Sequence, residues 1–268
     1  MVMRHEGPDD APVPPGAVSL ATTRWGSGPG RALLLHGTVS AGATWWQLAE
    51  TLAADGYEVI APDLRGHGTS PRADSYLLAD HVADVLALGA GWDLVVGHGL
   101  GGLLGALAAD AGSGSDPGSG RRFARRLVLL DPALDIPDDR FETGAAAEIA
   151  EAAHPRSPRA VQAAHPAWDR RDVTAVVAAA KAADAMAVAR TLRDNTPWRY
   201  TGVISRLVVP TLVLSADPAH GALFPSPTGV ELMIRNPSVR VRMVVGAGHA
   251  VHRDRAAAVS AAIRSFLW

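Results

Sequence analysis

Residues 93–110 read DLVVGHGLGGLLGALAAD, and two readings of their glycines lead to different proteins. Gly97, Gly99 and Gly102 spell G-x-G-x-x-G between an apolar run and a helix-forming one, the spacing of a dinucleotide-binding turn. The same letters fit G-x-S-x-G with the central serine absent, a sharp strand-to-helix turn that presents residue 99 above a sheet. What flanks the stretch decides between them.

On both sides, short apolar runs alternate with helical patterns, which predicts parallel strands joined by crossover helices in an α/β sandwich. Strands are expected at about 32–35, 58–61, 94–96, 127–130, 211–214 and 240–244, with an antiparallel edge strand at 18–24. Helices are expected over about 45–54, 76–88, 100–109, 227–234 and 251–266. Residues 134–206 are alanine-rich and carry no strand-like run, so they are expected to form a helical lid over the carboxyl ends of the strands. This divides the chain into a leader (1–16), a first part of the core (17–133), the lid (134–206) and a second part of the core (207–268). The leader, MVMRHEGPDDAPVPPG, is charged and proline-rich and reads as disordered. The glycine/serine stretch 112–120 reads as a flexible surface insertion.

Composition narrows the partners. The 268 residues carry a net charge of −2 and no long basic run, which argues against a nucleic acid or an anionic membrane. There is no cysteine, so thiolate nucleophiles and thiolate metal sites are excluded. No His/Asp/Glu grouping has metal-ligand spacing, and no apolar run approaches the roughly 18 residues of a membrane helix. A soluble, cytoplasmic protein without a metal or cofactor is expected, acting on a small, mostly apolar organic molecule. Nothing in the chain specifies an oligomeric state.

Ligands of parallel α/β sheets bind beyond the carboxyl ends of the strands, so the residues just after each strand are the informative ones. They are His36-Gly37-Thr38, the loop Asp63-Leu64-Arg65-Gly66-His67-Gly68-Thr69-Ser70, the turn Gly97-His98-Gly99-Leu100-Gly101-Gly102, Asp217, and Gly246-Ala247-Gly248-His249. In that order, they resemble the α/β-hydrolase fold superfamily, in its esterase- and lactonase-like branch. The resemblance runs from about Ala17 to the C-terminus. It implies a mostly parallel sheet flanked by helices with an inserted lid, and a hydrolase of small esters, lactones or other acyl compounds. Against the dinucleotide reading, the acid that would bind a ribose, Asp131, comes 29 residues after Gly102, later than the roughly 20 that motif uses. That reading also leaves the hydrolase-like loops before the turn unexplained.

The resemblance also implies roles. Residue 99 stands at the nucleophile position, where the family carries serine, or aspartate or cysteine in some branches, and Gly99 has no side chain to attack with. His249 is the expected base and Asp217 its expected acid partner, with Asp131 as the substitute. The backbone N–H groups of Leu100 and Thr38 would form the oxyanion hole. His36, Ser40, His98, Trp45, Trp168 and Trp198 are possible pocket residues, although tryptophans are as often core. His98 more commonly supports the turn, Ser40 lacks the geometry of a displaced nucleophile, and Arg65 and His67 brace their own loop. His220 and His252 are expected on the solvent side. Three functions remain open: a serine hydrolase whose nucleophile was replaced, a cofactor-independent enzyme that does without the serine and uses His249 as base on a substrate proton or on water (nonhydrolytic, as a lyase, cyclase or isomerase, or by direct hydrolysis), and an inactive small-ligand binder.

Overall fold

Alternation along buried strands divides the apolar residues between two faces of one sheet. In β3 (Gly30–Leu35), Leu33 and Leu35 pack on one side while Ala32 and Leu34 pack on the other, because successive side chains of a strand point to opposite faces. β5 (Leu94–His98), β6 (Leu127–Leu130) and β7 (Thr211–Ser215) are buried at every position, as apolar strands covered by helices on both faces should be. β4 (Tyr57–Pro62) lies on the other side of β3, and β8 (Val239–Met243) closes the far edge. The computed structural model describes residues 5–6, 16–112, 122–224 and 226–268. Its sheet has the order β1-β2-β4-β3-β5-β6-β7-β8, with β1 at His5–Glu6 and β2 at Thr22–Trp25. β2 runs antiparallel to both its neighbours, and the strands from β4 to β8 are mutually parallel.

Helices close both faces. Leu48, Ala49 and Leu52 of α1 (Trp46–Ala54) and Val259, Ala262 and Ile263 of α11 (Ala256–Leu267) share a core with Ala32, Leu34, Val96 and Leu214. On the opposite face, α2 (Leu78–Ala87) and α3 (Leu100–Ala111) pack on Leu33, Leu35 and Leu129. α9 (Ser226–Arg235) completes the crossover between β7 and β8.

The alternation of strands and helices matches the sequence reading, with shifts at the ends. The edge strand occupies Thr22–Trp25 rather than 18–24. The helix expected over 251–266 is two, α10 (Val251–Asp254) and α11, because Arg255 leaves the helical region at φ −139° and ψ 50°. Of the leader, His5 and Glu6 pair with Thr23 and Thr22; apart from these and Gly16, it lies outside the described residues. So does the glycine/serine stretch beyond Gly112.

Between β6 and β7 come α4 (Asp138–Ala153), α5 (Pro158–Ala164), α6 (Arg170–Ala182), α7 (Ala185–Arg193) and α8 (Thr201–Arg206). Their starts are written in the sequence: the side chains of Ser157, Asp169 and Asp184 accept hydrogen bonds from the first free N–H groups of α5, α6 and α7, as N-cap residues do. α4 packs on α6 and α7. α8, by contrast, packs on α3 and α9 at the flank of the sheet.

Candidate active site

The turn from β5 into α3 is built by close approach. A side chain on Gly101 would run into the carbonyl of Leu35, and one on Gly97 into the carbonyl of Gly101. The two glycines are therefore small because strand and helix meet there. Gly99 has φ 52° and ψ −115°, a conformation L-residues adopt only under strain. Its carbonyl accepts from the N–H groups of Gly102, Leu103 and Ala133, which locks the turn.

His249, in the loop after β8, faces this turn. A Cβ built on Gly99 would lie 3.2 Å from its Nε2. Its Nδ1 is 2.8 Å from Oδ2 of Asp131. A carboxylate only accepts, so Nδ1 carries a proton, and Nε2 is the ring nitrogen turned toward residue 99. Asp131 is wholly buried at the end of β6. Oδ1 also accepts from the N–H groups of Ala216 and Phe224, and Oδ2 from that of Leu223. Among the described residues, Val39 and Asp131 are the non-glycine residues with positive φ, at 50° and 39°. Both lie at this end of the sheet, and such conformations persist only where surrounding structure enforces them.

Asp217, the expected acid partner, does not reach His249. Its Oδ2 accepts from Gly246 N at 2.9 Å and its Oδ1 from Ala219 N at 3.0 Å, and these backbone N–H groups hold its carboxyl below the usual carboxylate range. It caps the 3-10 turn Pro218–His220 and ties it to the loop that precedes His249. The substitute, Asp131, holds the histidine.

The other residues singled out from the sequence divide into scaffold and lining. His36 accepts from Leu64 N through Nε2 and contacts the Gly37 carbonyl through Nδ1, at 2.9 and 2.7 Å. Burial pushes its pKa down to about 3, so it is a neutral strut between two loops rather than a pocket residue. Ser40 bonds with Thr44 inside its own loop. His98 contacts the His249 carbonyl through Nε2 at 2.9 Å, and the two rings lie 4.4 Å apart. Trp45 is core and stacks on His252. His252 is therefore buried rather than on the solvent side, whereas His220 is exposed. Arg65 and His67 stay within the scaffold: Arg65 pairs with Asp84, and His67 contacts the Arg65 carbonyl.

Two cavities share lining residues at this place. One, of about 180 Å³, has Thr38, Gly99, Leu100 and His249 at its base and apolar walls that include Phe141, Leu192 and Trp198. The other, of about 470 Å³, is more polar and includes Trp168, His98, Glu151, Arg156 and Arg253. Thr38, Glu148 and His249 belong to both. Glu148 was not singled out in the sequence, where it is one of several glutamates in an alanine-rich helix. Its Oε2 accepts from the Thr38 hydroxyl at 2.9 Å, and burial pushes its carboxyl up from the usual range. Leu100 is the first residue of α3, so its N–H has no helical carbonyl to meet. Among the described residues, no group of three His, Cys, Asp or Glu side chains could hold a metal ion.

A family model described as the alpha/beta hydrolase family matches residues 32–262. The chain is similar to the lipase LipV of Mycobacterium tuberculosis, 35% identical over 138 residues that cover 50% of this chain and 49% of that protein. It is also similar to a carbamate hydrolase, RutD, of Variovorax paradoxus, 39% identical over 127 residues, 40% of this chain and 47% of that one. These matches thus span about half the length of each relative. In structure it is similar to an E-2-(acetamidomethylene)succinate hydrolase, with TM-score 0.77, 20% identity and coverage of 99% of this chain and 98% of the other. An N-formylmaleamic acid deformylase of Pseudomonas putida superimposes with TM-score 0.72 and 23% identity over 91% and 96% of the two chains.

Proposed function

Since the chain belongs to the alpha/beta hydrolase family, we propose that it hydrolyses small acyl compounds without a covalent intermediate, with His249 activating water directly. Gly99 stands at the family's nucleophile position, and glycine closes the acyl-enzyme route there. The observation that carries the reading is that His249 stays paired through Nδ1 to Asp131 while its Nε2 faces a residue with no side chain. A base so oriented acts on whatever occupies that space.

The step balances with water alone. Nε2 takes a proton from water as the water oxygen attacks the acyl carbon, and the carbonyl electron pair moves onto oxygen. The N–H groups of Leu100 and Thr38 receive that oxyanion. Collapse expels the leaving group, which takes the proton back from Nε2–H. Asp131 keeps the imidazole in this tautomer and stabilises the imidazolium between the two transfers. The helices α4–α7 serve as the lid, and the apolar cavity takes the acyl or leaving group.

The test is turnover of 4-nitrophenyl esters. The expected result is steady release without a burst, lost in His249→Ala, with no labelling by a fluorophosphonate. Labelling, or an undiminished rate in His249→Ala, overturns the proposal. A second reading draws on the same open approach to Nε2: abstraction of a proton from a carbon acid, as in a lyase or isomerase. Solvent deuterium incorporation into recovered substrate would identify it.

A further inference from the structure

The chain treats two arginines differently. Arg65 is 1% exposed, and its guanidinium meets both oxygens of Asp84 and the carbonyls of Ser75, Gly16 and Asp80. That is how a buried guanidinium is normally satisfied, because an ion taken out of water without partners is costly. Arg253 lies in α10, one turn after His249; it is half-buried where Arg65 is fully buried, and it lacks such a set. Its Nε is buried without a hydrogen bond, and among the described residues its guanidinium makes no hydrogen bond or ion pair. Burial pulls its pKa down to about 10.

The nearest acids do not fill this need. Oδ1 of Asp172 accepts from the Trp46 indole, and Asp254 accepts from the Trp168 indole and from Gly248 N. They offset the charge of Arg253 from a distance and leave its donors free. Trp168 holds the guanidinium over its ring, 5.6 Å from the centroid. In the same cavity Arg156 is already committed to Glu151 at 2.6 Å, so that pair is close to neutral. Glu148 takes its hydrogen bond from Thr38.

We propose that the polar cavity is a carboxylate subsite: Arg253 receives an anionic group of the substrate while the apolar cavity takes the other end. A molecule that spans both passes Thr38, Glu148 and His249, which the cavities share. The reacting carbon then lies between an apolar group and a carboxylate. A planar guanidinium offers a carboxylate two parallel N–H donors. Among the described residues lining this cavity, Arg253 is the one cation without an ion-pair partner, which suits a monoanion and not a phosphate dianion.

This inference rests on the reading of His249 as the reacting centre, and a binding measurement keeps the two apart. The probes are N-benzylglutaramic acid and its neutral carboxamide, titrated calorimetrically into the full chain; both are amides, so binding is read whether or not esters turn over. The acid is expected to bind about tenfold tighter than the carboxamide. In Arg253→Met that preference disappears, with carboxamide binding changed by less than about twofold, and in Arg253→Lys part of it survives. Should Arg253→Met fail to fold, Arg253→Gln serves the same purpose. Equal binding of the two probes to the wild-type protein, or a preference that survives neutral substitution, overturns the subsite. Loss of turnover alone in His249→Ala leaves it standing, and a preserved binding preference in a protein that hydrolyses nothing overturns only the catalytic reading.

Discussion

At the scale of single residues, the proposed chemistry turns on position 99. Glycine there keeps the backbone at φ 52° without the strain of about 1–3 kcal/mol that a side chain would incur. Gly99→Ser is therefore expected to lower the melting temperature by several degrees while creating a hydroxyl beside His249 Nε2. Labelling by a fluorophosphonate and burst release from 4-nitrophenyl esters would then appear; an unlabelled, fully stable variant would contradict this geometry. The choice of acid has its own test. Asp131→Asn disturbs the tautomer of His249 and is expected to slow turnover by roughly 10²–10⁴-fold. Asp217→Ala removes a cap, lowers the melting temperature slightly and leaves kcat within about threefold. The reverse ranking would return the acid role to Asp217. Both aspartates follow strands in the sequence, and their order relative to His249 is the same. Only the reach of the side chains, set by where β6 and β7 end against the His249 loop, separates them.

At the scale of elements, the junction of β5 and α3 holds the site together. A methyl at Gly101 would meet the Leu35 and His36 carbonyls at the end of β3, backbone atoms that cannot turn aside. Gly101→Ala is expected to cost upwards of about 3 kcal/mol, read as loss of soluble yield or a drop of roughly 6–12 °C in melting temperature. Gly144→Ala, in α4, has nothing within 4 Å of the added carbon and should be neutral or slightly stabilising. Much of this layer was legible beforehand. Strand cores are apolar runs, and the alanine-rich stretch 134–206 read as helical; its division into α4–α8, with Ser157, Asp169 and Asp184 as caps, came from the structure. Less legible was the split of the last helix at Arg255. Its cause is tertiary: Asp254 reaches back to Gly248 N and the Trp168 indole, and Arg255 Nε reaches the Val245 carbonyl. Likewise, nothing in the residues of α4 marks Glu148 over its neighbours until the helix is laid against Thr38.

At the scale of the whole molecule, buried histidines set the response to acid. Burial pushes His36 to about 3 and lowers His67, His81, His98 and His252. The unfolded chain takes up protons near pH 6.5, before the folded one does. Stability is therefore complete above about pH 6.5 and falls as the pH drops toward the folded values. Each proton taken up on unfolding costs ~1.4 kcal/mol per pH unit. Calorimetry between pH 7.5 and 4.5 should show the melting temperature falling steeply below 6.5, with several protons bound on unfolding. A flat profile would mean that these rings are solvated. The described helices include none long and apolar enough to cross a membrane.

By itself, the sequence determined the alternation of strands and helices, the order of the loops at the carboxyl edge of the sheet, and the glycine at position 99. These follow from short-range physics: burial periodicity, capping and turn chemistry are encoded within a few residues. The tertiary structure alone decided that Asp131 rather than Asp217 holds His249. It also buried His252 against Trp45, brought Glu148 against Thr38 beside His249, and left the Arg253 guanidinium, among the described residues, without a hydrogen-bond or ion-pair partner. Those outcomes depend on distances between segments more than 100 residues apart in the chain, such as the 118 that separate Asp131 from His249. Such distances are set by sheet order and by how helices pack across it, which no local pattern records.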